Sequence, residues 1–249
     1  MSKPISISFL CLTFGRVHLL EEAVESFLRM EYEGQKELLI LNDCGWQHLV
    51  YEHPEIRIIN LKEQFRTFGE KEDYGINQCK YNNIAQYDND DIDLPWHANN
   101  INKYFPGHDL LHWNKGILSV SNEIKALGIC GNSGIVFSKE IWKKVGYNHR
   151  NCGADMDFVV NIKNAGGKVA RAVPPDEEVG HYYRWGMTYH LSGLGDDRDR
   201  PEEEQVVQRH KLFMENERQK GREPEGIILL EPHWNHDYVK MLKDFINAN

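Results

Sequence analysis

At 249 residues, with 41% hydrophobic, 27% charged and 11% aromatic side chains, the chain can hold one generous α/β domain or two small ones. Its formal net charge of -9 gives no ground for generic binding to nucleic acid or anionic membranes. No stretch approaches the roughly 18 uncharged apolar residues of a membrane span, and five scattered cysteines (Cys11, Cys44, Cys79, Cys130, Cys152) without CxxC spacing suit a reduced, cytoplasmic compartment.

The run from Ile5 to Leu12 is β-branched and apolar without a basic leader, and reads as a first strand rather than a signal peptide. Thr13-Phe-Gly-Arg16 breaks it, and Leu19, Leu20, Ala23, Val24, Phe27 and Leu28 then recur at helical spacing. Glu37 to Leu41 is a second strand closed by Asn42-Asp-Cys-Gly45, and Ile56 to Ile59 a third. Strand, helix, strand at this spacing predicts a βαβ crossover and a parallel sheet. A helical stretch through Lys71 to Lys80 leads into the acidic segment Tyr87-Asp-Asn-Asp-Asp-Ile-Asp-Leu-Pro95, after which Pro95 permits a helix over Trp96 to Tyr104. Asp109 to Trp113 and Ile117 to Val120 read as strands, Gly131 to Gly134 as a loop, and Ser138 as the cap of a helix through Lys144. Asp155 to Asn164 is the next helix, ended by Gly166-Gly167, and beyond about Gly193 the chain is charged and helical with loops.

Asp88, Asp90 and Asp91 repel one another unless a cation neutralises them, and hard oxygen ligands of this kind suit Mg²⁺ or Mn²⁺. The plain alternative is a solvated loop capping the helix near Trp96. Asp155 and Asp157, in a first helical turn, suit a general base equally with favourable helix-terminal charges. Gly180 to Gly186 is dense in His181, Arg184 and Trp185, groups that serve as a metal ligand, a diphosphate clamp and a sugar-stacking platform, or simply as packing. Neither GxGxxG nor GxxxxGK[ST] occurs, which excludes by motif a Rossmann dinucleotide site and a P-loop.

Tyr87 to Trp96 resembles the Asp-x-Asp region of the inverting family 2 glycosyltransferases of GT-A fold. The first strand, Thr13-Phe-Gly-Arg16, the following helix, Asn42-Asp-Cys44 and Gly69-Glu-Lys-Glu-Asp73 resemble the same family, and the likeness runs from about residue 5 to about 190. It implies a mostly parallel central sheet flanked by helices over residues 1–192, with a nucleotide half to about 95 and an acceptor half from 96, and a helical extension over 193–249. It further implies transfer from a nucleotide-diphosphate sugar, most readily a UDP-sugar, to a hydroxyl acceptor. In that scheme Thr13, Arg16, Asp43, Lys71, Asp88, Arg184 and Trp185 line the donor, Asp88, Asp90 and His181 hold Mn²⁺ or Mg²⁺, and Asp155 is the base. Glu72 and Asp73 depart from the family's Arg-Asn, Asn89 replaces an acid, and Ala154 stands where the family has Glu. A non-catalytic nucleotide- or sugar-binding protein and a sugar-nucleotide nucleotidyltransferase are the rival readings; the latter lacks its Gly-rich loop here. A nucleic-acid acceptor is open but not indicated by the charge.

Overall fold

The alternation of side chains along β1 (Ile7–Thr13) sorts the core into two layers. Ile7, Phe9 and Cys11 face one cluster and Leu10 the other, as the period-two geometry of a strand buried on both faces requires. The computed structural model describes residues 3–119, 121–126, 134–149, 154–184 and 203–248, the last segment with side chains from 210 onward. After β1 come α1 (Val17–Leu28), β2 (Lys36–Asn42), β3 (Gln47–Val50), β4 (Ile56–Asn60), α2 (Phe68–Gln78), β5 (Asn83–Gln86), β6 (Ile92–Asp93) and α3 (His97–Tyr104). They are followed by β7 (Leu110–Trp113), β8 (Lys115–Leu118), β9 (Glu123–Ala126), β10 (Ile135–Ser138), α4 (Lys139–Val145), α5 (Ala154–Asn164), β11 (Val169–Ala172), β12 (His181–Tyr183), α6 (Glu203–Gln219), β13 (Gly226–Leu229) and α7 (Tyr238–Ala248).

The main sheet is seven-stranded in the order β11-β7-β10-β5-β1-β2-β4. β1 runs parallel to β2 and β5, β2 to β4, and β11 to β7, whereas β10 is antiparallel to both its neighbours. Helices α1 and α3 cover one face through Leu20, Val24, Phe27, Ala98 and Ile101. On the other face lie α2, α4 and α5, through Ile76, Trp142, Phe158 and Ile162. A four-stranded sheet, β6-β12-β8-β9, stands beside the acidic segment. The expected parallel sheet is therefore present, and the expected cap of α4 is made, with Ser138 Oγ accepting from Ile141 N at 3.2 Å. Thr67 and Glu70 form a reciprocal capping box at the start of α2.

The segment beyond Gly193 differs in part from the helical expectation. It adds β13, which pairs in parallel with β3 in the register Gly226↔Gln47 to Leu229↔Val50. Helix α7 closes the small sheet, with Tyr238 and Leu242 packed on Ile92, Leu94 and Ile117. At this junction the buried Glu22 carboxylate of α1 accepts from Arg184 Nη2 at 2.7 Å and from Tyr238 Oη at 2.6 Å, and Tyr238 Oη also accepts from Arg184 Nη2 at 2.6 Å. Removing one member of such a set strands a buried charge. Glu22→Ala is expected to lower the unfolding free energy by about 3 kcal/mol and Tyr238→Phe by about 1 kcal/mol, both read from urea denaturation at neutral pH.

Candidate functional site

In an open α/β sheet the ligand crevice lies beyond the carboxyl ends of the parallel strands. Here the turn after β1, the turn after β2, the start of α2 and the loop after β5 meet at that edge. The β1–α1 turn demands two successive positive φ angles, 70° at Gly15 and 58° at Arg16. At Gly15 a Cβ would also sit 2.1 Å from Met214 Cε, so a larger residue fits only if the end of the Met214 side chain moves. Arg16, an L-residue held left-handed, is fixed by its head group. Nη1 donates to Asp90 Oδ2 at 2.8 Å and Nη2 to Asn89 Oδ1 at 2.5 Å.

Asn89 in turn donates to Thr13 Oγ1 at 2.8 Å. An amide both accepts from Arg16 and donates to Thr13; a carboxylate at this position has no proton to donate. An amide at position 89 can therefore bridge Arg16 and Thr13 where a carboxylate could not. Beside this, Lys71 Nζ donates to Thr13 O at 2.8 Å and forms a buried ion pair with Asp43, whose other oxygen accepts from Phe65 N at 3.0 Å. Thr13, Arg16, Asp43 and Lys71, all anticipated from the sequence, line one pocket of about 100 Å³ together with Phe14, Phe65 and His210. A wider cleft of about 790 Å³ continues from it past Trp46, Arg66 and Arg218.

The acidic loop follows β5. Burial and the charges of Asp90, Asp91 and Glu72 push the Asp88 carboxyl well above the usual carboxylate range. His181, on β12, pairs across to Asp93 on β6. Its Nδ1 lies 2.8 Å from Asp93 Oδ1 and its Nε2 3.4 Å from Asp91 Oδ2. Those two carboxylates raise the imidazole well above its ordinary value, against the opposing effect of burial. The structure thus brings Asp91 to His181, where the sequence pointed to Asp90; Asp90 faces Arg16 instead. Arg184, expected at a diphosphate, is buried, its guanidinium directed to Glu22, Tyr238 and the Asp90 carbonyl, and Trp185 lies outside the described residues.

Among the described residues no three His, Cys, Asp or Glu side chains converge as a metal cage. The pairing at His181 nevertheless fits a divalent cation. A carboxylate on Nδ1 orients the ring as in carboxylate–histidine–metal sites, so that Nε2, on giving up its proton, would turn a lone pair to a metal, and Nε2 faces Asp91 at a distance suited to two ligands of one ion. Mg²⁺-type ions take one or two protein groups and fill their remaining positions with phosphate oxygens and water.

Asp155 stands in the first turn of α5, half-buried, on the side of Glu72 and Tyr147, whose proton affinities its charge raises. Asp157 instead accepts from Asn148 Nδ2 at 2.9 Å. Glu72 has no exposed surface and accepts from Gln86 Nε2 at 2.9 Å; Gln86 also donates to Tyr147 Oη at 2.8 Å. Asp73 accepts from Trp142 Nε1 at 2.6 Å and meets His149 Nε2 at 2.9 Å, tying α2 to the segment ahead of α5. Glu72 and Asp73 therefore each have partners of their own. The sequence grouped Asp91 with the acidic cluster without pairing it with His181, and it did not single out His210, which lines the pocket. Asp91 was visible within the acidic run, whereas nothing around His210 distinguishes it from the other histidines.

No protein-family model matches the chain, and no curated protein matches it in sequence. Solved structures do match in fold. S. aureus TarS 1–349 in complex with UDP-GlcNAc superposes with a TM-score of 0.57 at 10% identity, covering 73% of this chain and 59% of that one. The mannosyltransferase PcManGT from Pyrobaculum calidifontis, in complex with GDP-Man and Mn²⁺, gives 0.58 at 12% identity, covering 100% of this chain and 75% of that one. This chain spans 60% of the length of TarS 1–349 without ligand. At such identities the likeness is one of fold: the protein has the mixed α/β architecture of GT-A glycosyltransferases, with a large, mostly parallel central sheet flanked by helices. Among the described residues no helix is long and apolar enough to cross a membrane.

Glu72 yields a sign-definite expectation. Burial pushes its carboxyl from 4.5 up to about 8, so the folded state holds the proton more tightly than the unfolded chain. The associated stability is fully present below the unfolded value and is lost as pH rises through the folded one. Glu72→Gln is expected to melt above the wild type at alkaline pH and to show a flatter melting profile between about pH 5 and pH 8, followed by thermal denaturation across that range.

Proposed function

We propose that the protein is an inverting glycosyltransferase that moves a sugar from a nucleotide-diphosphate donor, preferentially a UDP-sugar, to a hydroxyl acceptor. The observation that carries this reading is the convergence of Thr13, Arg16, Asp43 and Lys71 on one pocket at the carboxyl edge of the sheet, with Arg16 linking that pocket directly to the acidic loop. The fold likeness to a UDP-GlcNAc complex and to a GDP-Man and Mn²⁺ complex supports it.

In this reading the nucleoside enters against Asp43 and Thr13, while Lys71 and Arg16 offset the negative charge at the pocket mouth. Asp91 and His181 would hold Mn²⁺ or Mg²⁺, with Asp88 and Asp90 as flanking charge; a bound ion supplies Lewis-acid neutralisation of the departing diphosphate. Asp155 accepts the proton of the acceptor hydroxyl. The hydroxyl oxygen bonds to the anomeric carbon on the face opposite the diphosphate, the anomeric C–O bond breaks, and the nucleoside diphosphate leaves without needing a proton. One carboxylate therefore suffices, unlike the pair a glycosidase uses on a poor leaving group.

The test is release of nucleoside diphosphate from a panel of UDP- and GDP-sugars with Mn²⁺, beside an EDTA control. Turnover is expected to vanish with EDTA and in Asp91→Ala. Asp155→Asn should cut kcat by about 10²- to 10⁴-fold while nucleotide affinity holds. Nucleotide binding without turnover, with or without metal, would assign a binding module instead.

A further inference from the structure

His210 belongs to α6, outside the central sheet, yet it lines the small pocket with Thr13, Arg16, Asp43 and Lys71. Only 7% of its surface is exposed, and what remains open faces that pocket.

The position of the ring is built rather than incidental. It packs on Phe14 at 5.5 Å between centroids. One turn on, Met214 is enclosed by Phe14 and Cys44 and fills the space above Gly15. Arg218 lies over the Trp46 ring at 5.1 Å, and past the end of α6 the buried Glu223 carboxylate accepts from Gln47 Nε2 at 3.3 Å. Burial, with Arg16 and Lys71 close by, lowers the imidazole to about 3, so it is neutral at physiological pH and presents one donor and one acceptor nitrogen.

We propose that His210 is a nucleobase-recognition residue of the donor pocket, so that a segment outside the central sheet completes the donor site. This rests on the nucleotide-sugar reading above and deepens it. The ring packs on Phe14 and lines a pocket that includes Asp43 and neither Asp91 nor His181, the pair where the diphosphate would lie. A neutral donor–acceptor group beside aromatic rings matches the edge of a heterocyclic base better than it matches an anion.

Isothermal titration of the full chain with UDP, GDP and inorganic diphosphate in Mn²⁺ tests it, for wild type, His210→Ala and His210→Gln. His210→Ala is expected to weaken the preferred nucleoside diphosphate about tenfold while leaving inorganic diphosphate unchanged. His210→Gln, which keeps one donor and one acceptor, should recover most of the loss. Unchanged or tighter nucleotide binding in His210→Ala would overturn the proposal and make the side chain a filler or plug of an otherwise functional pocket. Equal losses in both variants with a lowered melting temperature would assign packing and overturn it too. Failure of the wild type to bind either nucleotide would overturn the donor reading itself.

Discussion

The excess of negative charge at the carboxyl edge of the sheet is the constraint to which the rest of the structure answers. Asp88, Asp90, Asp91 and Asp93 follow one another within a short stretch, the first half-buried and the other three buried, and Glu72 lies near enough to disfavour ionisation of Asp88. Carboxylates gathered out of water are tolerable only with cations or donors placed against them. The fold brings Arg16 from the first βα turn, His181 from β12 and the Arg184 backbone amide to these groups. Each comes from a different part of the chain, so holding the acidic loop and assembling the site are one physical problem.

That distribution explains how far the sequence could be read. β1, α1, β2 and β4 are written in apolar runs with regular periods, and α4 in a serine cap, because their local preferences agree with their final environment. β5 is a central strand of only Asn83-Ile-Ala-Gln86, and its pairing with β1 and β10 rather than its composition makes it one. β10 follows directly on a glycine-rich stretch and hands over to a helix cap, so its four residues carry no visible period. β12 stands where only an aromatic loop was legible, held between β6 and β8.

The site divides in the same way. Chemistry-bearing types near strand ends, such as Thr13, Asp43 and Asp88, could be singled out in the sequence, the first two through the family resemblance. Which partner each meets could not, since that depends on contacts between remote segments: Arg184 to Glu22 spans 162 positions and Gln47 to Glu223 spans 176. A charge that can serve a ligand and one that ties two elements together look identical in a sequence. Lys71, engaged with Asp43 and the Thr13 carbonyl, shows that the two roles can also share one side chain.

The parallel pairing of β13 with β3 has a bearing on how the molecule is born. A strand near residue 50 waits for its neighbour until residues 226–229 have been synthesised, and Glu231 N must return to Glu21 across 210 positions. Non-local closures of this kind come late and slowly. The central sheet can form while the chain is still emerging, but the wall of the cleft that carries His210 and Met214 closes only afterwards. A nascent chain therefore passes through a stage with its sheet assembled and its crevice open on one side, the window in which a chaperone or protease would find Phe14, Cys44 and Trp46 uncovered.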